Sequence, residues 1–203
     1  FFKKNICVYR LSKMIGNRKI YKIIYLVFIL HTFDPSLSIA NDFTILKKEN
    51  KYEVLAKFKS FTNICSAWKI ITNYEDLPSF LPRITSSKIL KNEGNKKEVE
   101  QVIKETIFLF PLHVKNIFLV TEHEVEKKIS VKLLSGDLID YRANWQITNF
   151  KGSAAINIHI QLTPTRTQSI ILSTKRVRNH FNEMIYSLKA KLNSTNHTHD
   201  CKH

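Results

Sequence analysis

The last long segment of the chain, residues 168–192, constrains the fold more than any other. Apolar residues recur there at spacings of three, four and seven, while charged and amide side chains occupy the opposite side. A helix of this length would extend for roughly 37 Å, and no other segment predicts a helix to match it. Its apolar stripe is therefore expected to pack against one face of a sheet. The apolar positions are Ile170, Ile171, Val177, Phe181, Met184, Ile185, Leu188 and Leu192.

Most of the sequence before this helix alternates between apolar and polar residues, which indicates β-strands. Residues 43–60 predict a first strand, and two short helices follow, one capped by Thr62 or Asn63 and one at 74–81. The order predicts an α+β domain in which a curved antiparallel sheet wraps around one long C-terminal helix. The remaining predicted strands are 83–92, 97–110, 112–125, 128–135, 138–149 and 155–163, and Pro164 ends the last one.

The first forty residues have the order of a secretory signal peptide. Basic residues Arg18, Lys19 and Lys22 precede an apolar run at 23–30, and the small-residue sequence Ser-Ile-Ala ends at Ala40. Eight apolar residues are too few to span a bilayer, which needs about 20. We therefore expect cleavage after Ala40 and a periplasmic or secreted protein. An uncleaved membrane anchor is the alternative.

The leader can be counted from Met14 rather than from Phe1. A leader counted from Met14 to Ala40 would have 27 residues, and residues 1–13 would then be upstream translation. The expected organisation is a leader at 1–40, a domain at 41–192 and a polar, disordered tail at 193–203.

The chain is basic, with a formal charge of +15. The leader holds seven of the 32 basic residues and one of the 17 acidic residues, so the rest carries +9. Lysine outnumbers arginine by 25 to 7 and is scattered, whereas nucleic-acid recognition favours clustered arginine. We therefore expect no nucleic-acid partner, and at most a transient contact with anionic membrane surfaces.

The few potential metal ligands and cysteines give weak signals. The tail contains His197, His199, Asp200, Cys201 and His203, which would suit Zn²⁺ or Cu²⁺, but a solvated tail is the simpler interpretation. We expect neither a metal nor a cofactor. Cys65 lies in the first predicted helix, and we expect it to be buried and unreactive rather than joined to Cys201.

Two local patterns resemble a known family. Residues 73–82, Asn-Tyr-Glu-Asp-Leu-Pro-Ser-Phe-Leu-Pro, and the following 86–90 are similar to the D-Y-x-x-x-P-x-F-x-P…S segment of START-like (SRPBCC) proteins. Residues 136–138, Gly-Asp-Leu, followed by Trp145, resemble the G-x-F…G-x-W strand of the same group. This is the polyketide cyclase/dehydrase and lipid-transport group, which includes a coenzyme Q-binding branch. Asn73 and Ala143 depart from it, where aspartate and glycine are common.

The resemblance implies a helix-grip fold, with an apolar cavity between the sheet and the C-terminal helix. Members of the group bind lipids, isoprenoids or polyketides, and only some are enzymes. The expected partner is thus a lipid or another apolar small molecule. Strand parity and helix periodicity give the expected wall: Phe80, Leu81, Ile129, Val131, Leu133, Tyr141, Ala143, Trp145, Ile147, Ile156, Ile158, Ile160, Phe181, Met184, Ile185 and Leu188. A solid core is the alternative.

Candidates for acid–base catalysis are few. They are the strand residues Glu105, His123, Asp140 and Arg142, and alternation predicts that Asp140 and Arg142 form a solvated ion pair. No nucleophile elbow, phosphate loop or CxxC pair is present. We therefore expect no catalytic residues and a binding protein. The alternatives are a cyclase or dehydratase acting on a polyketide-like substrate, and a membrane-surface module without an internal ligand.

The leader makes the first testable prediction. Mature protein recovered from the native host should begin at Asn41, because signal peptidase cleaves after the small residue that ends the leader. N-terminal sequencing checks this. Retention of Phe1 or Met14 would contradict both the cleavage and the export.

Overall fold

Eight antiparallel strands form one curved, open sheet that packs against a long C-terminal helix. The computed structural model describes residues 43–107 and 110–194, excluding the side chains of residues 106, 107, 110, 111, 167, 170 and 171. The strands are β1 (Phe43–Lys48), β2 (Lys51–Lys59), β3 (Ile84–Glu93), β4 (Lys96–Ile107), β5 (Phe110–His123), β6 (Lys128–Gly136), β7 (Leu138–Phe150) and β8 (Ser153–Pro164). The helices are α1 (Ile64–Thr72), α2 (Leu77–Phe80), α3 (Arg166–Ile171) and α4 (Thr174–Ser194), and a 3-10 turn covers Tyr74–Asp76.

The strand order is β1-β2-β8-β7-β6-β5-β4-β3, so β1 and β3 form the edges. The register keeps apolar side chains together on one face, as where Ile160 lies between Val54 on β2 and Ala143 on β7. The same face continues through Val120 on β5 to Val99 on β4, and all five residues are buried. This inner face forms the core with α4 and α1.

The helix α4 buries one stripe on this inner face. The buried residues follow spacings of three and four, as the sequence predicted for an amphipathic helix. They are Val177, Phe181, Ile185, Leu188 and Leu192. The α+β helix-grip architecture expected from the sequence is thus confirmed.

Two predicted elements are each divided in the structure. The predicted strand 43–60 is a hairpin, because the chain turns at Glu49, whose φ is 53°, and β1 then pairs with β2.

The predicted helix 168–192 is two helices. Thr165 and Gln168 form a capping box that begins α3 earlier, and Leu172 adopts an extended conformation that ends it. The Ser173 side chain then accepts a hydrogen bond from the Arg176 backbone N–H, which begins α4.

The first short helix begins as the sequence predicted, at a cap provided by Asn63, whose side chain accepts a hydrogen bond from the Ser66 backbone N–H at 2.8 Å. Cys65 in this helix is buried, and it is disulfide-bonded, so the expectation of an unpaired cysteine was wrong. Its partner lies outside the described residues.

The segment at 73–82, which resembles the first family pattern, is anchored to strand β5 by Tyr74. Tyr74 donates a hydrogen bond to Glu122 at 2.8 Å, and Lys97 pairs with the other oxygen of Glu122 at 2.7 Å. Burial, then the hydrogen bond to Glu122 and its negative charge, raise the pKa of Tyr74 far above its usual range. Its hydroxyl is therefore a permanent donor, and this part of the pattern maintains the fold.

The second family pattern forms the tight turn between β6 and β7. Asn116 on β5 accepts hydrogen bonds through Oδ1 from the backbone N–H groups of Asp137 and Leu138, at 3.1 and 3.3 Å. The Asp137 carboxylate in turn accepts one from the Lys115 N–H at 2.7 Å. Gly136 has a φ of 143°, and a Cβ there would lie 2.5 Å from both the Lys115 carbonyl oxygen and Asn116 Oδ1. Only glycine lets the turn approach β5 this closely.

Within the described part of the chain, no helix combines the length and the apolarity that a membrane crossing requires.

The turn makes the second prediction. Gly136→Ala should lower the free energy of unfolding by about 2–4 kcal/mol, because it adds both backbone strain and a clash with β5. The measurement is the urea midpoint at constant m-value.

The matched control is Gly94→Ala in the β3–β4 turn. Gly94 also has a left-handed φ, of 66°, but a Cβ there would have nothing within 4 Å, so only about 1 kcal/mol should be lost. Equal losses at the two positions would show that the close approach to Asn116 is not a constraint.

Candidate ligand cavity

A cavity of about 200 Å³ lies between the inner face of the sheet and the helices α3 and α4. Strands β3, β4, β5, β7 and β8 contribute its floor, and the loop between α2 and β3 contributes Leu81 and Pro82 at one side. The helix residues Val177, Phe181 and Met184 form its roof. A space enclosed on both sides by secondary structure is typical of small-molecule sites.

The wall is mostly apolar because the register brings apolar residues side by side. Ile103 on β4 pairs with Val114 on β5, and Tyr141 on β7 pairs with Leu162 on β8. The rings of Phe118 and Tyr141 are 5.1 Å apart at an angle of 55°. A wall of this kind favours a ligand with a large apolar surface.

A cluster of charged side chains borders the cavity where α4 passes β4. Arg83 pairs with Glu105 at 2.8 Å through Nη1 and with Glu183 at 2.6 Å through Nε. His180 Nδ1 lies 2.9 Å from the second oxygen of Glu105. These four residues, here called the rim cluster, connect β4 and α4 through the loop that carries Arg83. Their side chains remain 24–41% exposed, so they lie at the mouth.

The rim cluster holds Glu105 in its ionised form. Burial is the largest single influence and raises the pKa of Glu105, but the hydrogen bond with His180 and the positive charges of His180, Arg83 and Arg176 together outweigh it. The pKa of Glu105 is therefore below its usual range. A carboxylate with a low pKa and both oxygens occupied is a poor general base.

Two polar side chains lie deeper. Asn116 is fully buried, and its Nδ2 has no hydrogen-bond partner among the described residues. Burial also raises the pKa of Tyr141 well above its usual range, so its hydroxyl stays neutral. Both residues line the cavity, as does Gln101, the cross-strand partner of Asn116.

The wall residues expected from the sequence fall into two groups. Leu81, Tyr141, Phe181 and Met184 line the cavity. The others lie in the core or pack against it and are not part of the cavity wall, because the space occupies only one end of the inner face. They are Phe80, Ile129, Val131, Leu133, Ala143, Trp145, Ile147, Ile156, Ile158, Ile160, Ile185 and Leu188. Contact of any of these residues with a ligand stays a prediction.

The four catalytic candidates are spread over the sheet. Glu105 lines the cavity, whereas His123 is exposed at the end of β5. Asp140 and Arg142 form the expected ion pair at 3.3 Å, with side chains 41% and 62% exposed. Only Glu105 is placed to meet a ligand.

Several wall residues were not identified from the sequence. Arg176, His180 and Glu183 recur at spacings of four and three and therefore share one edge of α4, beside its apolar stripe. Periodicity had assigned Arg176 and Glu183 to the solvated side. The spacing of these three residues could have indicated that they share one edge of the helix. The sequence gives no comparable signal for Asn116, because its role depends on the turn at Gly136 that packs against it.

The described residues contain no group of three or more His, Cys, Asp or Glu side chains that could hold a metal ion. The tail histidines considered from the sequence lie outside them.

Comparisons with known proteins agree with this architecture. The sequence profile of the family described as "Polyketide cyclase / dehydrase and lipid transport" matches residues 63–190. No curated protein sequence matches.

Three solved structures have the same fold at low identity. A Thermus thermophilus protein has a TM-score of 0.61 and 13% identity, over 69% of this chain and 96% of its own. The Zhui aromatase/cyclase from Streptomyces sp. R1128 has a TM-score of 0.55 and 8% identity, over 70% and 93%. A STAR-related lipid transfer protein fragment from Xanthomonas axonopodis has a TM-score of 0.56 and 9% identity, over 74% and 98%.

The rim cluster makes a prediction about pH. Because the pKa of Glu105 is lower in the folded chain than in the unfolded chain, its contribution to stability is present above about pH 4.3 and is lost as the pH falls further. Glu105→Gln should therefore lower the free energy of unfolding by roughly 1–2 kcal/mol near pH 7, and by less near pH 3.

Urea unfolding at both pH values measures the difference. Glu124→Gln is the control, because the Glu124 side chain is 75% exposed and its ion-pair distance to Lys127 is 3.7 Å. A loss at Glu105 that is equal at the two pH values would show that its charge does not stabilise the fold.

Proposed function

The chain belongs to the polyketide cyclase/dehydrase and lipid transport family, and we propose that it is an exported binding protein that carries an apolar small molecule or lipid. The fold is a ligand-binding fold shared by lipid-transfer proteins and aromatase/cyclases. The observation that carries the proposal is the apolar cavity between the sheet and α4. Export rests on the leader sequence alone.

The volume of the cavity limits what fits without rearrangement. An engineered apolar cavity of about 150 Å³ in another protein accepts benzene. A cavity of about 200 Å³ would therefore accept a molecule of roughly one or two rings. A longer lipid would require α4 or the loop at Leu81 to move outward.

The rim cluster favours a carrier over an enzyme. Catalysis by Glu105 would require a free carboxylate of suitable pKa, whereas its oxygens are held by Arg83 and His180. The same contacts connect α4 to the sheet and narrow the mouth, which suits retention of a ligand.

An enzyme of the cyclase or dehydratase type is the second candidate, because Glu105 and His180 border the cavity and one of the similar structures is an aromatase/cyclase. In such an enzyme, entry of a substrate would break the ion pairs of the rim cluster. If the protein is incubated with a candidate substrate and a chemically different product is recovered, the result would favour this function.

Loading of a carrier requires contact with a source of ligand. The charge of +9 outside the leader favours transient binding to anionic membrane surfaces, since each basic residue near such a surface contributes about 1 kcal/mol. We propose no nucleic-acid partner. A membrane-surface module without internal ligand would show the same salt-sensitive vesicle binding and an empty cavity.

Native mass spectrometry of protein extracted gently from the producing cells tests the proposal. A carrier should retain an apolar molecule that dissociates on denaturation. Protein that is free of any such molecule, and that binds no apolar probe afterwards, would contradict the carrier function.

The roof of the cavity makes a mutational prediction. Phe181 is 5% exposed and lines the cavity. Phe181→Ala should cost less than the roughly 3–5 kcal/mol typical of a packed core, because part of its surface faces the cavity rather than other side chains. Binding of isopropylbenzene, followed by NMR titration, should weaken at least several-fold.

The matched control is Phe58→Ala. Phe58 is 3% exposed, lies in the same core and does not line the cavity. Phe58→Ala should lower the free energy of unfolding by the full amount of a packed core, roughly 3–5 kcal/mol. It should bind isopropylbenzene with an unchanged Kd once the fraction of unfolded protein is taken into account. A full core loss at Phe181 with unchanged probe binding would mean that α4 is an ordinary core helix.

A further inference from the structure

The cavity wall includes the buried amide of Asn116. The residue is 0% exposed, and its Nδ2 donates to no acceptor in the described part of the chain. Buried polar atoms in native proteins nearly always have a hydrogen-bond partner, because an unpaired donor loses its bonds to water and gains none. An unpaired donor at the wall of a ligand cavity therefore points to a partner that enters from the cavity.

The orientation of this amide is fixed by the backbone. Oδ1 accepts from the N–H groups of Asp137 and Leu138. Rotation of the amide by 180° would place its NH₂ group against two N–H donors, which cannot pair with it. Nδ2 is thus the atom left for a ligand, and it can only donate.

The surroundings make this donor selective. Phe118 lines the same region, and Ile103 and Val114 lie on the flanking positions of β4 and β5; Gln101, opposite Asn116, and the Tyr141 hydroxyl also line the cavity. In a mostly apolar wall, a hydrogen bond is stronger than in water and a mismatched polar group is costly. A buried donor there therefore distinguishes ligands that carry an acceptor at the right place from pure hydrocarbons.

We propose that Asn116 is the anchor for an acceptor oxygen of the ligand, so that the ligand is a mainly apolar molecule with a carbonyl oxygen directed at β5. The inference rests on the proposed binding function and specifies its ligand class. The Asn116 amide positions the oxygen end, and the apolar roof under Phe181 and Met184 receives the hydrocarbon end.

A pair of isosteric probes tests the anchor. Acetophenone and isopropylbenzene differ by an oxygen in place of a methyl group, and both are of the size that the cavity accepts. NMR titration of the full chain should give a several-fold tighter Kd for acetophenone, about 3- to 10-fold for one net hydrogen bond. The side-chain NH₂ resonances of Asn116 should shift with acetophenone and much less with isopropylbenzene.

The variant Asn116→Asp keeps an oxygen for the turn and replaces the donor with an acceptor. It should abolish the preference for acetophenone over isopropylbenzene, because the atom that would face the carbonyl oxygen is then an acceptor. Asn144→Asp makes the same amide-to-acid change on the outer face, where Asn144 accepts from Ser130, and should leave the preference unchanged.

The possible outcomes distinguish failure of the binding function from failure of the Asn116 anchor. If neither probe binds, the binding function itself fails, and the anchor with it. If both probes bind equally to the unmodified chain, the cavity is a binding site but Asn116 is not an anchor, as would hold if an ordered water permanently occupied Nδ2. If Asn116→Asp does not fold, the Kd ratio and the Asn116 resonances of the unmodified chain still decide.

Discussion

The structure depends on the burial of one helical stripe against a curved sheet. Five residues of α4, from Val177 to Leu192, pack on an inner face that eight strands contribute. One helix is too narrow to cover such a face. The edge of α4 that carries Arg176, His180 and Glu183 cannot enter an apolar core, because unpaired charges are costly to bury. It is therefore held at the surface by Arg83 and Glu105, and the cavity forms beneath it.

The cavity has an energetic consequence for the domain. Side chains that line it have fewer protein neighbours than side chains of a packed core, so this end of the fold contributes less packing energy. The buried Tyr74–Glu122–Lys97 network and the dense core at Ile156 and Ile160 lie away from it.

The sequence predicted the strands and their buried faces better than the location of the site. Period-two alternation, as at Ile156, Ile158 and Ile160, identifies a buried face because a strand has only two faces. The predicted strand at 43–60 folds back at Glu49, and the buried positions change there from odd numbers, as at Phe43, to even numbers, as at Tyr52. The prediction rested on the alternation after residue 51 and did not use this change of phase. Alternation could not show which part of the inner face stays open, because that depends on the distance between α4 and each strand. Glu105 was identified as a candidate by residue type alone, and its partners Arg83 and His180 only by the fold.

The two ends of the Asn116 amide serve different parts of the molecule, and this has a consequence for how related chains can diverge. Its oxygen maintains the turn at Gly136, while its nitrogen is the atom that we propose as the ligand anchor. A substitution at this position that removed the side-chain oxygen would release the turn as well as alter the cavity wall, so two separate requirements restrain changes at position 116. Changes of ligand preference during evolution should accumulate instead at positions such as Ile103 and Val114, whose side chains have no second task, and positions 116 and 136 should change together or not at all.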